Sequence, residues 1–131
     1  MINIFKLTRM VRINDKDVED ILCAAFEGGI NYWCDDVTPI GDWLGEYASE
    51  HIANGGTAEL HDTEEDKTYR IDAGDIVRGV KLAIEGGFLD CGTVLDSDSW
   101  DVTCGLETSE IDAAAADVIV QLAVFGELIY G

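Results

Sequence analysis

A chain of 131 residues, 47% of them apolar, is long enough to bury one hydrophobic core and is expected to form a single domain over residues 1–131. Its 27 Asp and Glu against 8 Lys and Arg leave a net charge of −19. A field of that size excludes direct binding to DNA, RNA or an anionic membrane. It attracts basic surfaces, among them the nucleic-acid grooves of other proteins.

The charge is unevenly placed. Lys81 is the last basic residue, and Leu82 to Gly131 carry ten carboxylates with no Lys or Arg. The four cysteines, at 23, 34, 91 and 104, form no Cys-x-x-Cys pair. The N-terminus has no apolar run followed by a small-residue cleavage site, so reduced thiols in the cytoplasm of a bacterial host are expected. Val118 to Tyr130, the most apolar stretch, falls short of the roughly 20 residues that span a bilayer.

Residues 2–13 read as a strand in which Phe5, Leu7, Val11 and Ile13 alternate with polar neighbours, interrupted at Arg9. Asn14 with Asp17, Asp72 with Asp75, and Ser109 with Asp112 each place a capping side chain three residues before an acid, which predicts three helix starts. The first helix carries Val18, Ile21, Leu22, Ala25 and Phe26 inward and is expected to end in a left-handed stop at Gly28-Gly29. Ile30 to Cys34 then read as an aromatic core strand in preference to a recognition loop. A second helix is expected over 42–53 with Trp43, Leu44, Tyr47 and Ile52 inward. Residues 57–62 and 67–72 alternate around Thr63-Glu64-Glu65-Asp66 and predict a β-hairpin with an acidic tip. The helix from about 73 stops at Gly86-Gly87, and a last helix over about 110–125 is apolar almost all round, the mark of a central buried helix. The expected fold is α+β: a small antiparallel sheet made of the N-terminal strand and the hairpin 57–72, about four helices, and a central C-terminal helix.

Candidate sites are few. Asp96, Asp98 and Glu107 fit positions one, three and twelve of a calcium loop, but Trp100 and Asp101 occupy positions five and six, where a ligand and a glycine are needed. An acidic surface loop is the better account. His51, His61 and the cysteines lack zinc-site spacing and read as surface histidines and core cysteines. No phosphate-binding glycine motif is present, and Ser49 and His51, two apart on a helix, do not face each other. Asp117 and Gln121 read as a narrow solvent-facing or salt-bridged stripe on the last helix. No catalytic residue, metal or cofactor is expected.

Small size, extreme acidity and the absence of a catalytic motif, with the segments EGGINYWC (Glu27 to Cys34) and DAAAADVIVQLAVFGELIYG (Asp112 to Gly131), resemble the accessory proteins of phages and other mobile elements. That group includes DNA-mimic and anti-CRISPR inhibitors of host defence. The resemblance is one of type across the whole chain and transfers no residue's role. It implies a non-enzymatic inhibitor whose partner is a basic, nucleic-acid-binding protein, with neither nucleic acid nor membrane bound directly. From the residues, the expected contacts are Asp62, Glu64, Glu65 and Asp66 on the hairpin and Asp96, Asp98, Trp100 and Asp101 in the loop, with Trp100 the expected anchor. The alternative is a structural or adaptor protein, a homo-oligomer joined through Tyr130 and the apolar tail, whose acidity serves solubility alone.

Overall fold

Asn14 and Asp72 open helices in the way their spacing predicts. The Asn14 side chain accepts from the Asp17 N–H at 2.9 Å while Asp17 accepts from the Asn14 N–H at 3.0 Å, and Asp72 and Asp75 repeat the exchange. Each box satisfies two of the helix's orphan donors. The third start differs: Asp112 caps the last helix through Ala115 N–H, while Ser109 sits in a 3₁₀ turn, Thr108–Glu110.

The computed structural model describes residues 2–3, 10–96 and 103–131. In chain order it holds β1 (Met10–Val11), α1 (Asp15–Ala24), β2 (Cys34–Ile40), α2 (Ala48–Ala53), β3 (Thr57–Asp62), β4 (Lys67–Ile71), α3 (Ala73–Glu85), α4 (Cys91–Val94), β5 (Leu95–Asp96), β6 (Thr103–Leu106) and α5 (Ala113–Phe125). The fold is α+β. The predicted hairpin is β3–β4, and α5 is the predicted central helix, touching α1, α3, β4 and the turn after α1.

The sheet partners differ from expectation. The hairpin takes β2 as its third strand, in the antiparallel order β2-β3-β4. The N-terminal strand instead runs parallel to β6 in a second sheet of order β1-β6-β5. Only Met10 and Val11 of the expected 2–13 strand are β, and residues 4–9 lie outside the described residues. Pro39 sits within β2 but on an edge strand, where its missing N–H costs no ladder bond.

Helix ends also differ. α1 runs into a π-turn, Ala25–Gly29, closed by Ile30 N–H on the Ala25 carbonyl at 3.0 Å, without a left-handed residue. Gly29 lies so close to the start of α5 that a Cβ there would press on the Ala113 carbonyl. The expected stop at Gly86-Gly87 is present, with Gly87 left-handed at φ 75°, and α5 also ends on a left-handed residue, Gly126 at φ 76°. The 42–53 helix shrinks to six residues. Ile52 is buried, but Trp43, Leu44 and Tyr47 stand exposed on an irregular loop.

The core joins Val18, Ile21 and Leu22 of α1, Ile76, Val80 and Ala83 of α3, Ala58 and Leu60 of β3, and one face of α5. α3 and α5 meet at Gly79, where a Cβ would fall against the Ile119 carbonyl oxygen. Backbone cannot step aside as a flexible side chain can. Gly79→Ala is therefore expected to lose about 2 kcal/mol of stability through overpacking, against a gain of about 1 kcal/mol in helix propensity already counted in that net figure. Urea denaturation checks it, and a variant as stable as the parent would show that the helices separate freely.

Candidate functional site

The polar side chains of α5 do not face solvent. Asp117 is nearly buried and Gln121 fully so. Asp117 accepts from Tyr32 Oη at 2.6 Å, Trp33 Nε1 at 2.8 Å and Gln121 Nε2 at 2.9 Å. Among the described residues no cation meets it; three neutral donors compensate the burial of its charge. This corrects the expectation of a solvent-facing or salt-bridged stripe. Gln121 in turn accepts from the Ile129 and Tyr130 N–H groups, both at 2.9 Å, and donates to the Tyr130 carbonyl at 3.1 Å. The C-terminal tail is thus fastened along α5. Burial, reinforced by the bond to Asp117, pushes the Tyr32 hydroxyl up to about 12.

The same network reaches the hairpin. Tyr130 Oη donates to Asp62 Oδ2 at 2.7 Å, and burial followed by this bond holds the Tyr130 hydroxyl above its ordinary range. The other oxygen of Asp62 accepts from the backbone N–H of Glu64 at 2.9 Å. Asp62 is fully buried, so it does not serve as the exposed partner contact expected from the sequence. The signal was present in the alternation of β3, which places Asp62 in the inward row with Ala58 and Leu60. Tyr130 is likewise committed inward, stacked on Trp33 with ring centroids 5.7 Å apart.

Asp62 fixes the backbone of the tip, and the tip presents its acids outward. Glu64, Glu65 and Asp66 are all exposed. Asp66 adopts φ 51°, a left-handed conformation that Asp tolerates better than most residues. Its carboxylate turns back to His61 Nε2 at 2.8 Å, while His61 Nδ1 meets Asp35 at 2.6 Å. Asp35 is the extra residue at the bulge between Cys34 and Asp36, which re-aims it toward β3. A neutral imidazole has one N–H, so only the imidazolium donates to both carboxylates.

The bonds to Asp35 and Asp66, in that order, raise the His61 pKa above its ordinary 6.5. A raised folded-state pKa adds stability that is complete below the unfolded value and lost as pH rises through the folded one. The wild type is therefore expected to exceed His61→Gln in stability most at acid pH, with the difference fading as His61 deprotonates. An NMR titration of the ring checks this; a midpoint at or below 6.5 would remove the clamp.

Asp35 also lines a cleft of about 840 Å³ between the end of α1, β2 and the start of α2. Five acidic residues line it, Glu19, Glu27, Asp35, Asp36 and Glu50, and among the described residues no Lys or Arg does. Lys16 reaches Glu19 from outside at 3.4 Å. Among the described residues no cation pairs with Glu27 or Glu50. His61 thus bridges Asp35 of the cleft wall to Asp66 of the hairpin tip. Two thiols line the cleft, and burial pushes that of Cys34 up to about 11, which leaves it almost wholly protonated at neutral pH.

Of the remaining expected contacts, Asp96 is exposed on β5 opposite Gly105, while Asp98, Trp100 and Asp101 lie outside the described residues. The histidines and cysteines correct two further expectations. His51 is buried, with Nδ1 accepting from Leu44 N–H at 3.0 Å and Nε2–H donating to the Thr57 carbonyl at 3.0 Å, and Cys91 is exposed. Among the described residues no helix is long and apolar enough to cross a membrane. Comparison with protein families, with curated proteins and with solved structures finds no match to this chain.

Proposed function

We propose that this chain is a non-enzymatic, acidic inhibitor that binds the basic nucleic-acid surface of a host defence protein, its carboxylates standing where phosphates would. The observations that carry the proposal are the five acidic residues lining the cleft, with no Lys or Arg lining it among the described residues, and the His61 bridge from Asp35 of that cleft to the hairpin tip with its exposed Glu64, Glu65 and Asp66. A net charge of −19 supplies the long-range attraction. Exposed ion pairs contribute only about 0–1 kcal/mol each, so affinity must come from many charges held in register together with an apolar anchor. The bonds of Asp62 to the tip backbone supply that register.

The test is a pull-down from bacterial lysate at low salt. Nucleic-acid-binding proteins that elute with added salt or competing DNA are the expected catch; recovery of none would overturn the proposal. With such a partner in hand, Glu64→Lys together with Glu65→Lys is expected to slow association about tenfold at low salt and to leave dissociation nearly unchanged. Stopped-flow kinetics across ionic strength reads both rates.

The exposure of Leu128 and Ile129 favours a second reading, an adaptor that self-associates through its tail. Tyr130, folded inward, would take no part in it. A strictly monomeric species in light scattering would remove that reading.

A further inference from the structure

The loop between β2 and α2 carries apolar side chains that the fold leaves uncovered. Trp43 is 56% exposed, Leu44 45% and Tyr47 62%. Leaving three such groups in water within five residues forgoes the burial that an inward-facing helix would have given them. The loop is nevertheless held. Leu44 donates its N–H to His51 Nδ1 at 3.0 Å and accepts from Asn54 Nδ2 at 2.7 Å, and the Trp43 ring rests on the His51 ring with centroids 6.5 Å apart. His51 is itself buried and fastened to β3 through Thr57. The side chains are therefore displayed on a fixed backbone, an arrangement that lowers the ordering cost of binding.

We propose that Trp43, Leu44 and Tyr47 form the docking anchor for an arginine-bearing segment of a protein partner. The proposal rests on the acidic-binder reading above and names the face that reading uses. Charge complementarity selects the occupant. Tyr47 and Glu50 are both part of the cleft wall, and Asp42 and Glu46 interleave with the apolar residues. A guanidinium is the group that stacks on an aromatic ring and pairs with a carboxylate at once. A second copy of this chain would bring carboxylates against carboxylates, and an anionic membrane or nucleic acid would be repelled. Tryptophan and tyrosine are also the residues in which interface energy concentrates, whereas rim charges contribute little.

The experiment uses the full chain and a nine-residue arginine peptide as the probe. Calorimetry at 0.15 M salt gives the affinity, and NMR shifts of the labelled chain give the face. The expected result is shift changes concentrated over residues 41–50 and the cleft. Trp43→Ala combined with Tyr47→Ala should weaken binding about tenfold, and a nine-residue lysine peptide should bind several-fold more weakly than the arginine peptide. Both replaced side chains are exposed, so an unchanged melting temperature is expected and confirms the fold. Shifts spread evenly over the surface, unaltered affinity of the folded double variant, or equal binding of the two peptides would each overturn the anchor while leaving the acidic-binder reading intact. Failure of the wild type to bind the arginine peptide even at 0.02 M salt would instead overturn that reading itself. Concentration-dependent dimerisation abolished by the double variant would assign the loop to self-association and overturn the proposal.

Discussion

Trp33→Ala is expected to cost about 4 kcal/mol, the middle of the range for removing a buried aromatic. Trp33 is fully buried, and each of its parts is used. The indole N–H donates to Asp117, the ring contacts Phe125 at 5.3 Å and Tyr130 at 5.7 Å between centroids, and the backbone carbonyl accepts from both the N–H and the hydroxyl of Thr63. Alanine keeps the last pair alone. It leaves a cavity and strips one of three donors from a nearly buried carboxylate, and both costs act together. Trp33→Phe separates them, restoring most of the packing without the N–H, and is expected to cost about half as much. Guanidinium denaturation of both variants checks the pair. If alanine and phenylalanine proved equally mild, the indole would not be the hub described.

Gln121→Leu is expected to cost about 3 kcal/mol, because leucine keeps the volume and removes every hydrogen bond. The lost partners are the N–H groups of Ile129 and Tyr130, the Tyr130 carbonyl and Asp117. Leucine satisfies none of them, so the tail should leave α5 and draw Tyr130 off Asp62. Amide exchange supplies a local reading beside the global one. The amides of 129 and 130 should lose protection first, followed by those of Glu64 and Glu65, whose shared acceptor Asp62 loses its bond to Tyr130. A stable variant that still protects residues 129 and 130 would show that the tail is held by ring packing alone. The outcome bears on the proposed function, since the Tyr130 that Gln121 fastens is hydrogen-bonded to Asp62, which holds the tip backbone.

The capping boxes at 14–17 and 72–75, the hairpin with its acidic tip and the buried C-terminal helix were legible in the sequence; Trp33 is buried as expected, but Ile30 to Trp33 form a turn where an aromatic core strand was expected, and Tyr32 is exposed. The caps and the hairpin rest on contacts a few residues apart, and the buried helix on composition alone, so local pattern determines them. The net charge of −19 is likewise a property of the sequence. Strand partners were not legible. β2 contains Asp35, Asp36 and Pro39, residues poor in β propensity, and its pairing with β3 is decided by what the core leaves open. The loop 41–47 has apolar residues at helical spacing, yet hydrogen bonds from His51 and Asn54 hold it irregular, with Trp43, Leu44 and Tyr47 exposed.

Asp62, Asp117 and Gln121 mark where tertiary structure had the final say. A carboxylate or amide can be buried only if other segments bring it partners: Tyr32 and Trp33 for Asp117 and Tyr130 for Asp62 lie far along the chain, and Gln121 is met by a tail that folds back along its own helix. Sequence spacing states which face of an element such a residue occupies. Whether that face is dry, and whether its hydrogen bonds are made there, depends on the assembled fold, because desolvation is offset only when every partner is already in place.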